Sequence, residues 1–104
     1  MFNENTNMQK NPCVYIMASK RNGTIYVGVT SNIQHRAWQH RSGINNGFTK
    51  KYHLNQLVYF EFLATMPEAI RREKQLKNWT RKRKLALIES MNPKWEDFFF
   101  FVIE

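Results

Sequence analysis

"CVYIMASKRNGTIYVGVTSN", residues 13–32, predicts two β-strands joined by a tight turn. The turn contains Asn22-Gly23, and both residues accept the positive φ angles of a tight hairpin turn. Residue types alternate along both strands, so each strand has one aliphatic face and one face that carries a tyrosine. The alternation therefore predicts that Tyr15 and Tyr26 lie on the same face of the hairpin.

The rest of the chain predicts three helices and a third strand. Ser31 and Gln34 have the spacing of a capping box, Pro67 suits the first turn of a helix, and Asn92-Pro93 ends the last helix. The order β-β-α-β-α-α predicts an α/β (α+β) fold, a small three-stranded antiparallel sheet flanked by helices. The expected elements are strands Val14–Ala18, Thr24–Thr30 and Gln56–Phe62, and helices from Ser31 to near Gly43, from Pro67 to about Trp79, and from Arg81 to Met91.

Length and composition favour one small domain with its own core. The chain has 104 residues, of which 42% are hydrophobic and 14% aromatic, which is enough for a single core. Residues 1–11 are expected to form a flexible lead, residues 12–96 the domain, and residues 97–104 an apolar tail. The tail is expected to cover the core or to pair at the sheet edge, because an exposed apolar strand would invite association.

Cysteine content and hydropathy bear on the compartment. Cys13 is the single cysteine, which excludes an intramolecular disulfide and a multi-cysteine zinc site and fits a reducing compartment. The sequence has no run of the ~18 apolar residues that a membrane span needs, and its first residues lack the apolar stretch of a signal peptide. We therefore expect a cytoplasmic protein with no membrane partner.

The charge balance points to an anionic partner. Sixteen Lys and Arg against eight acidic residues give a formal net charge of +8 at pH 7. Nucleic acid is the leading candidate. An anionic membrane surface is the second, and it is disfavoured because the sequence predicts no long, cleanly amphipathic helix.

Polar residues on apolar helix faces are candidates for chemistry. In the first helix, Arg36 lies at the edge of the stripe that carries His40, where apolar side chains are expected. In the second helix, Glu73 falls among residues that cluster on one side at 100° per residue. A carboxylate in such a place must be paired, hydrogen-bonded or metal-bound. Two interpretations stay open, a metal ligand or an ion pair between Glu73 and Arg36. The apolar neighbours of Glu73 in this pattern are Met66, Ala69, Ile70 and Leu76.

The basic run Arg81–Lys84 lies at the start of the third predicted helix, where cations oppose the helix dipole. If the second and third helices are continuous, this penalty disappears. If they are separate, free backbone amides and basic side chains together make a phosphate-binding end. A solvated charge run is the simpler alternative, and the net charge of the chain favours phosphate contacts.

These motifs together resemble the GIY-YIG nuclease superfamily, in its small single-domain bacterial form. The name motif is matched by Cys13-Val14-Tyr15 and Tyr26-Val27-Gly28, with Cys-Val in place of Gly-Ile in the first triplet. "SNIQHRAWQH" resembles the family's Arg and His helix, "EAIRREKQLKNW" its glutamate helix, and "IESMNPKW" its ending. The resemblance covers about residues 11–95, nearly the whole chain.

The resemblance implies roles for individual residues. Tyr15, Tyr26, Arg36 and His40 match catalytic positions, with Tyr15 as the base, aided by Tyr26 or His40, and Glu73 matches the sole carboxylate that binds metal. A tyrosine base has an ordinary pKa near 10, so the resemblance implies that Arg36 or a protonated His40 lowers it. The candidate DNA-binding side chains are Arg41, Tyr52, His53, Lys77, Arg81, Lys82, Arg83, Lys84 and Asn92.

The implied function is a metal-dependent endonuclease that hydrolyses phosphodiester bonds in DNA. It would use one divalent ion, Mg²⁺ by preference and Mn²⁺ as the alternative, because one carboxylate suits an ion that keeps waters and binds substrate phosphates. RNA stays open as a second substrate class, and the oligomeric state stays open as well. The alternative function is a nucleic-acid-binding module that keeps the fold but cuts weakly or not at all.

Overall fold

A computed structural model describes residues 11–42 and 52–103. The expected order of elements is confirmed, and one short C-terminal helix is added to it. The expected end of the first helix at Gly43 and most of the expected lead lie outside the described residues. The elements are β1 (Cys13–Ala18), β2 (Ile25–Thr30), α1 (Ile33–Ser42), β3 (Gln56–Phe62), α2 (Met66–Lys77), α3 (Arg81–Met91) and α4 (Phe99–Ile103).

The three strands form one antiparallel sheet in the order β2-β1-β3. The central strand β1 is completely buried, because it has a neighbour on each side and helices on both faces. In its pairing with β2, Tyr15 lies opposite Gly28 and Met17 lies opposite Tyr26. The strand with the second tyrosine, β2, is an edge of this sheet.

The predicted alternation of the hairpin is confirmed by two separate core clusters. Tyr15 belongs to a cluster that includes α1 and α4 residues, whereas Ile16 belongs to a cluster that includes α2 and α3 residues. The sheet is therefore covered by α1 and α4 on one face and by α2 and α3 on the other. The face with Tyr15 also holds Cys13, Met17, Ile33, Ala37, Leu57 and Phe60, and the opposite face holds Val14, Ala18, Val58, Ala69, Leu76 and Ile88.

A β-bulge in β3 explains the position of Asn92. The register of β3 against β1 shifts at Ile16 and Met17, whose partners are Tyr59 and Leu57, so Val58 is the extra residue. The Asn92 side-chain amide donates to the Val58 carbonyl at 3.0 Å and to the Glu96 carbonyl at 2.8 Å. Asn92 is 3% exposed and holds the bulge and the end of α3. Its side chain is therefore used within the fold, and a role of Asn92 in DNA binding stays a prediction.

Three expected helix features differ in the structure. Asn32, rather than Ser31, is the N-cap of α1, because its side-chain oxygen accepts from His35 N at 3.0 Å. The α2 helix ends at Lys77 rather than Trp79, with Asn78 as its C-cap. Ile70 is 40% exposed and lies outside the apolar stripe of α2.

The helices α2 and α3 are separate, which settles the two alternatives for the basic run. Thr80 is the N-cap of α3, and its hydroxyl accepts from Arg83 N at 3.2 Å. The cations of residues 81–84 therefore lie in the first turn of a helix. The side-chain cap offsets part of the unfavourable interaction with the helix dipole.

The apolar tail covers the core as a helix and also touches the sheet edge. Phe99 and Val102 are buried in the cluster on the α1 face. Phe98 N donates to the Leu57 carbonyl of β3 at 2.7 Å. Phe100 and Phe101 are 60% and 65% exposed. Across the described ranges, none of the helices is both long and apolar enough to cross a bilayer.

Candidate active site

The two motif tyrosines lie together on the sheet face that α1 covers. Their ring centroids are 6.4 Å apart, and the His40 ring lies 5.7 Å from Tyr15 and 6.2 Å from Tyr26. Tyr15 is completely buried, whereas Tyr26 is half-buried. The hairpin and α1 thus bring three of the four expected catalytic residues into one cluster.

Gly28 makes room for the Tyr15 ring. A Cβ at this position would lie 2.5 Å from both Cζ and Oη of Tyr15, closer than non-bonded carbon and oxygen atoms approach. The phenol therefore lies directly across the backbone of its cross-strand partner. The period of the strand predicted the face of the sheet on which Tyr15 lies. The sequence pattern did not indicate that its ring lies across Gly28.

The Tyr15 hydroxyl lies between His40 and Arg36. Its oxygen is 3.3 Å from His40 Nε2 and 3.4 Å from Arg36 Nη1. Because the guanidinium only donates, it donates to the phenol oxygen, and the phenol proton is left for His40. A neutral His40 that carries its own proton on Nδ1 accepts at Nε2. The fourth expected catalytic residue, Arg36, thus joins the same cluster.

Burial sets the protonation states of this cluster. It raises the pKa of the Tyr15 phenol to about 12, although the nearby Arg36 acts in the opposite direction. Burial and the positive charge of Arg36 lower the pKa of His40 to about 4. Arg36 acts on the pKa of Tyr15 in the expected direction, but the net lowering that was expected does not occur, because loss of water around a phenolate outweighs one cation. At neutral pH, Tyr15 is a neutral phenol and His40 a neutral imidazole.

Glu73 reaches the cluster through Lys77. Glu73 Oε2 is 2.7 Å from Lys77 Nζ, and this ammonium lies 5.8 Å from the centre of the Tyr26 ring. Within the described part of the chain, the ion-pair partner of Glu73 is thus Lys77, and the alternative of a pair with Arg36 is wrong. The contacts connect α2 on one face of the sheet with Tyr26 on the other, at the edge strand β2.

The donor set at Glu73 suits a metal ion that is shared with a substrate. No group of three or more His, Cys, Asp or Glu side chains within residues 11–42 and 52–103 is placed to hold a metal. Magnesium often uses one or two carboxylates and takes its other ligands from water and phosphate. The Lys77 ammonium lies 2.7 Å from this carboxylate, so an ion bound by Glu73 would have to replace that contact.

Three further DNA-binding candidates lie at or beyond the end of α1. Arg41 forms an ion pair with Asp97, and its guanidinium lies 4.1 Å from the centre of the Phe99 ring. It therefore ties α1 to the C-terminal tail. Tyr52 is 41% exposed, and His53 is exposed with a φ of 56°.

The basic residues of α3 have different surroundings. Arg81 is exposed, and its Nη2 donates to backbone carbonyls of the β1–β2 turn. Arg83 lies with its guanidinium 3.9 Å from the centre of the Trp79 ring. Lys82 is exposed and Lys84 is half-buried. The sequence indicated the basic residues of α3, but it did not indicate that Arg81 binds the β1–β2 turn.

Similarity to known proteins agrees with this geometry. A family model described as the GIY-YIG catalytic domain matches residues 11–86. This chain is a member of the GIY-YIG family. The motif tyrosines of that name are Tyr15 and Tyr26, and Cys13 replaces the first glycine. Cys13 is completely buried, so its thiol fills a position in the core.

Bacterial UPF0213 proteins are among the proteins similar to this chain. The chain is 34% identical to a UPF0213 protein of Bacillus pumilus over 84 residues, 81% of this chain and 86% of that relative. It is 38% identical to a UPF0213 protein of Clostridium perfringens over 85 residues, 82% of this chain and 90% of the relative. The solution NMR structure of UPF0213 protein BH0048 from Bacillus halodurans matches with a TM-score of 0.53 at 28% identity, over 84% of this chain and 92% of that one.

Proposed function

We propose that this GIY-YIG protein is a metal-dependent endonuclease that hydrolyses phosphodiester bonds in DNA. The observation that carries the proposal is the Tyr15 hydroxyl, which lies 3.3 Å from His40 Nε2 and 3.4 Å from Arg36 Nη1. A proton acceptor and a cation thus share one hydroxyl. Phosphodiester hydrolysis needs both, to activate a water and to stabilise the charge of the phosphate.

His40 is the final proton acceptor in this proposal. Because burial raises the pKa of Tyr15 to about 12, the phenol is a neutral donor at neutral pH and does not act as a base alone. As the attacking water passes a proton to the Tyr15 oxygen, the phenol proton passes to His40 Nε2. The water oxygen bonds to phosphorus, the bond to the leaving oxygen breaks, and that oxygen takes a proton from solvent.

Arg36 is the phosphate-binding residue in this proposal. Its Nε is buried and has no hydrogen-bond partner among the described residues. A buried N–H without a partner costs about 1–3 kcal/mol, more when the group is charged. An anionic phosphate oxygen would satisfy this donor and gain a charge-assisted hydrogen bond.

Because Tyr15 is completely buried, the substrate must displace neighbouring side chains to reach the hydroxyl.

Glu73 is the residue that would hold the divalent ion, Mg²⁺ or Mn²⁺. An ion bound there supplies Lewis-acid stabilisation of charge on the phosphate and the leaving oxygen. Lys77 would then give up its contact with Glu73. The side chain of Lys77 is 49% exposed, so it has room to turn towards solvent or a phosphate of the substrate.

A nicking assay tests the proposal. The substrates are single-stranded, duplex and branched DNA, with a matched RNA, each with Mg²⁺, with Mn²⁺ and with a chelator. Tyr15→Phe, Arg36→Gln and His40→Phe should each lower the rate of cleavage by about 100-fold or more. Tyr59→Phe is the matched control, because Tyr59 is a buried tyrosine on the opposite face of the sheet. Equal losses for Tyr15→Phe and Tyr59→Phe would contradict the assigned roles.

The second candidate function is a nucleic-acid-binding module that does not cut. The pairing of Glu73 with Lys77 favours it, because an ammonium 2.7 Å from the carboxylate competes with a metal ion. In that case DNA binding would not depend on Mg²⁺ or Mn²⁺. A parent protein that binds DNA and never nicks it under any of the metal conditions would support this second function over the nuclease.

A further inference from the structure

Arg81 joins two parts of the chain that are far apart in sequence. Its Nη2 donates to the carbonyl of Asn22 at 2.8 Å and to the carbonyl of Gly23 at 2.7 Å. Both acceptors belong to the β1–β2 turn, in which Asn22 has a φ of 58°. The first residue of α3 therefore fixes the position of the turn against the start of that helix.

Several basic side chains lie at this junction, and no acidic residue is close to them in the sequence. Lys20 and Arg21 in the turn are exposed, as are Arg81 and Lys82 at the start of α3. The chain has no Asp or Glu between Glu4 and Glu61, and none between Glu73 and Glu89. We call the four side chains Lys20, Arg21, Arg81 and Lys82 the turn–helix surface.

The turn–helix surface is joined to the candidate active site by two short stretches of chain. The turn leads directly into β2, and Gly23 precedes Tyr26 by three residues, or about 10 Å of extended chain. From the other side, α2 ends at Lys77, whose ammonium lies over the Tyr26 ring, and α3 begins four residues later. A nucleic-acid strand that places one phosphate at the tyrosines spans such a distance with a few nucleotides.

We propose that the turn–helix surface binds the phosphates that flank the cleaved bond, and that Arg81 is the positioning residue for the turn. This inference rests on the proposed function, since it takes a nucleic-acid strand as the substrate. Lys20 and Arg21 contact phosphate oxygens and read no bases, because flexible cations on a turn bind charge and not base edges. The surface therefore contributes affinity for any sequence.

Salt dependence of binding tests this surface. The probe is a 20-base-pair duplex of mixed sequence, with binding followed by fluorescence anisotropy in the presence of a chelator. A Lys20→Gln, Arg21→Gln double variant should lower the slope of log K against log salt by about 2, because each lost phosphate contact removes about 0.9. The control is an Arg71→Gln, Lys94→Gln double variant, which changes the same charge at two exposed positions elsewhere. Equal slopes for the two double variants would overturn the proposal.

Arg81→Lys tests the positioning role. Lysine keeps the positive charge but lacks the guanidinium that binds both carbonyls. Amide hydrogen exchange in the turn should speed up at least about fivefold, and affinity for the duplex should fall about threefold while the salt slope is kept. Faster exchange with full affinity would show that a fixed turn is not needed, and would overturn the positioning role.

Cleavage of a small substrate separates this inference from the nuclease proposal. Bis(p-nitrophenyl) phosphate has no flanking phosphates, so the Lys20→Gln, Arg21→Gln variant should cleave it at the parent rate. If the parent cleaves DNA and the double variant binds DNA as tightly as the parent, the surface is wrong and the nuclease proposal stands. If the double variant shows the expected change in salt slope and the parent cleaves neither substrate, the surface stands and the nuclease proposal fails.

Discussion

Lys77 Nζ lies 2.7 Å from Glu73 Oε2, one helical turn apart on α2, and next to the Tyr26 ring. The carboxylate that matches the family's metal ligand is therefore paired with a cation from its own helix. The pair is partly exposed, with side-chain exposures of 13% for Glu73 and 49% for Lys77. Such pairs contribute about 0–1 kcal/mol to stability, so the pair affects the site more than the fold.

The first prediction concerns Glu73→Gln. The change keeps the shape of the side chain and removes the charge that attracts a divalent ion, so cleavage should fall by about 100-fold or more. The free energy of unfolding should change by less than about 1 kcal/mol, because no fully buried cation loses its partner. Urea unfolding and the nicking assay measure the two effects. A loss of about 3–5 kcal/mol is what a buried ion pair would give, and that result would contradict the partly exposed pair seen here.

The second prediction concerns the competition between Lys77 and a metal ion. Lys77→Met removes the ammonium but keeps much of the apolar stem, so affinity for Mn²⁺ without DNA should rise about fivefold, as expected for an interaction of about 1 kcal/mol. Electron paramagnetic resonance of free Mn²⁺ measures this affinity directly. Lys74→Met is the matched control, because Lys74 is an exposed cation of the same helix. If both variants bind Mn²⁺ equally, Lys77 does not compete at Glu73.

The ion pair between Glu73 and Lys77 is a detail that could be predicted from the sequence. Glu73 and Lys77 have the i,i+4 spacing, with the acid on the N-terminal side, that stabilises a helix. This spacing is the feature of the sequence that indicates Lys77, rather than Arg36, as the partner of Glu73. The hairpin alternation was predictable for a similar reason, since a strand with both faces buried still separates its residues with period two. Local periodicity thus predicted the strands and the face of the sheet on which the two tyrosines lie.

Other features depend on tertiary contacts and left no local signal. The raised pKa of Tyr15 and the lowered pKa of His40 follow from burial by the packed helices and sheet. The bulge at Val58 adds one residue to a strand whose sequence pattern is regular. The Asn92 side chain donates to the Val58 carbonyl, although the two residues are far apart in the sequence. Family resemblance could suggest a role for Asn92 but could not show that its amide was already hydrogen-bonded.

The third prediction concerns the pH dependence of stability. The pKa of His40 is lowered from 6.5 to about 4 in the folded protein, so the unfolded chain binds a proton more readily between these values. The contribution of His40 to stability is therefore complete above about pH 6.5 and is lost as the pH falls towards 4. Urea unfolding at several pH values should show this loss in the parent.

His40→Phe isolates this contribution. The variant keeps a ring between Tyr15 and Tyr26 but cannot be protonated, so its stability should fall less steeply than that of the parent between pH 6.5 and 4. The comparison uses the slopes and not the absolute stabilities, since Tyr15 also loses a hydrogen-bond partner. His35→Phe, at an exposed position of the same helix, is the control. Parallel slopes for the parent and His40→Phe would show that His40 is not buried in its neutral form.

The last prediction concerns Gly28, which gives the Tyr15 phenol its place. Gly28→Ala would put a Cβ 2.5 Å from Cζ and Oη of a completely buried ring. Overpacking of this kind costs about 1–3 kcal/mol, and displacement of the hydroxyl from His40 and Arg36 should also lower cleavage. In a Tyr15→Leu background the clashing atoms are gone, so Gly28→Ala should cost at least about 1 kcal/mol less than in the parent. Urea unfolding of the four proteins in this double-mutant cycle measures the coupling. Additive losses would mean that the phenol does not lie across Gly28.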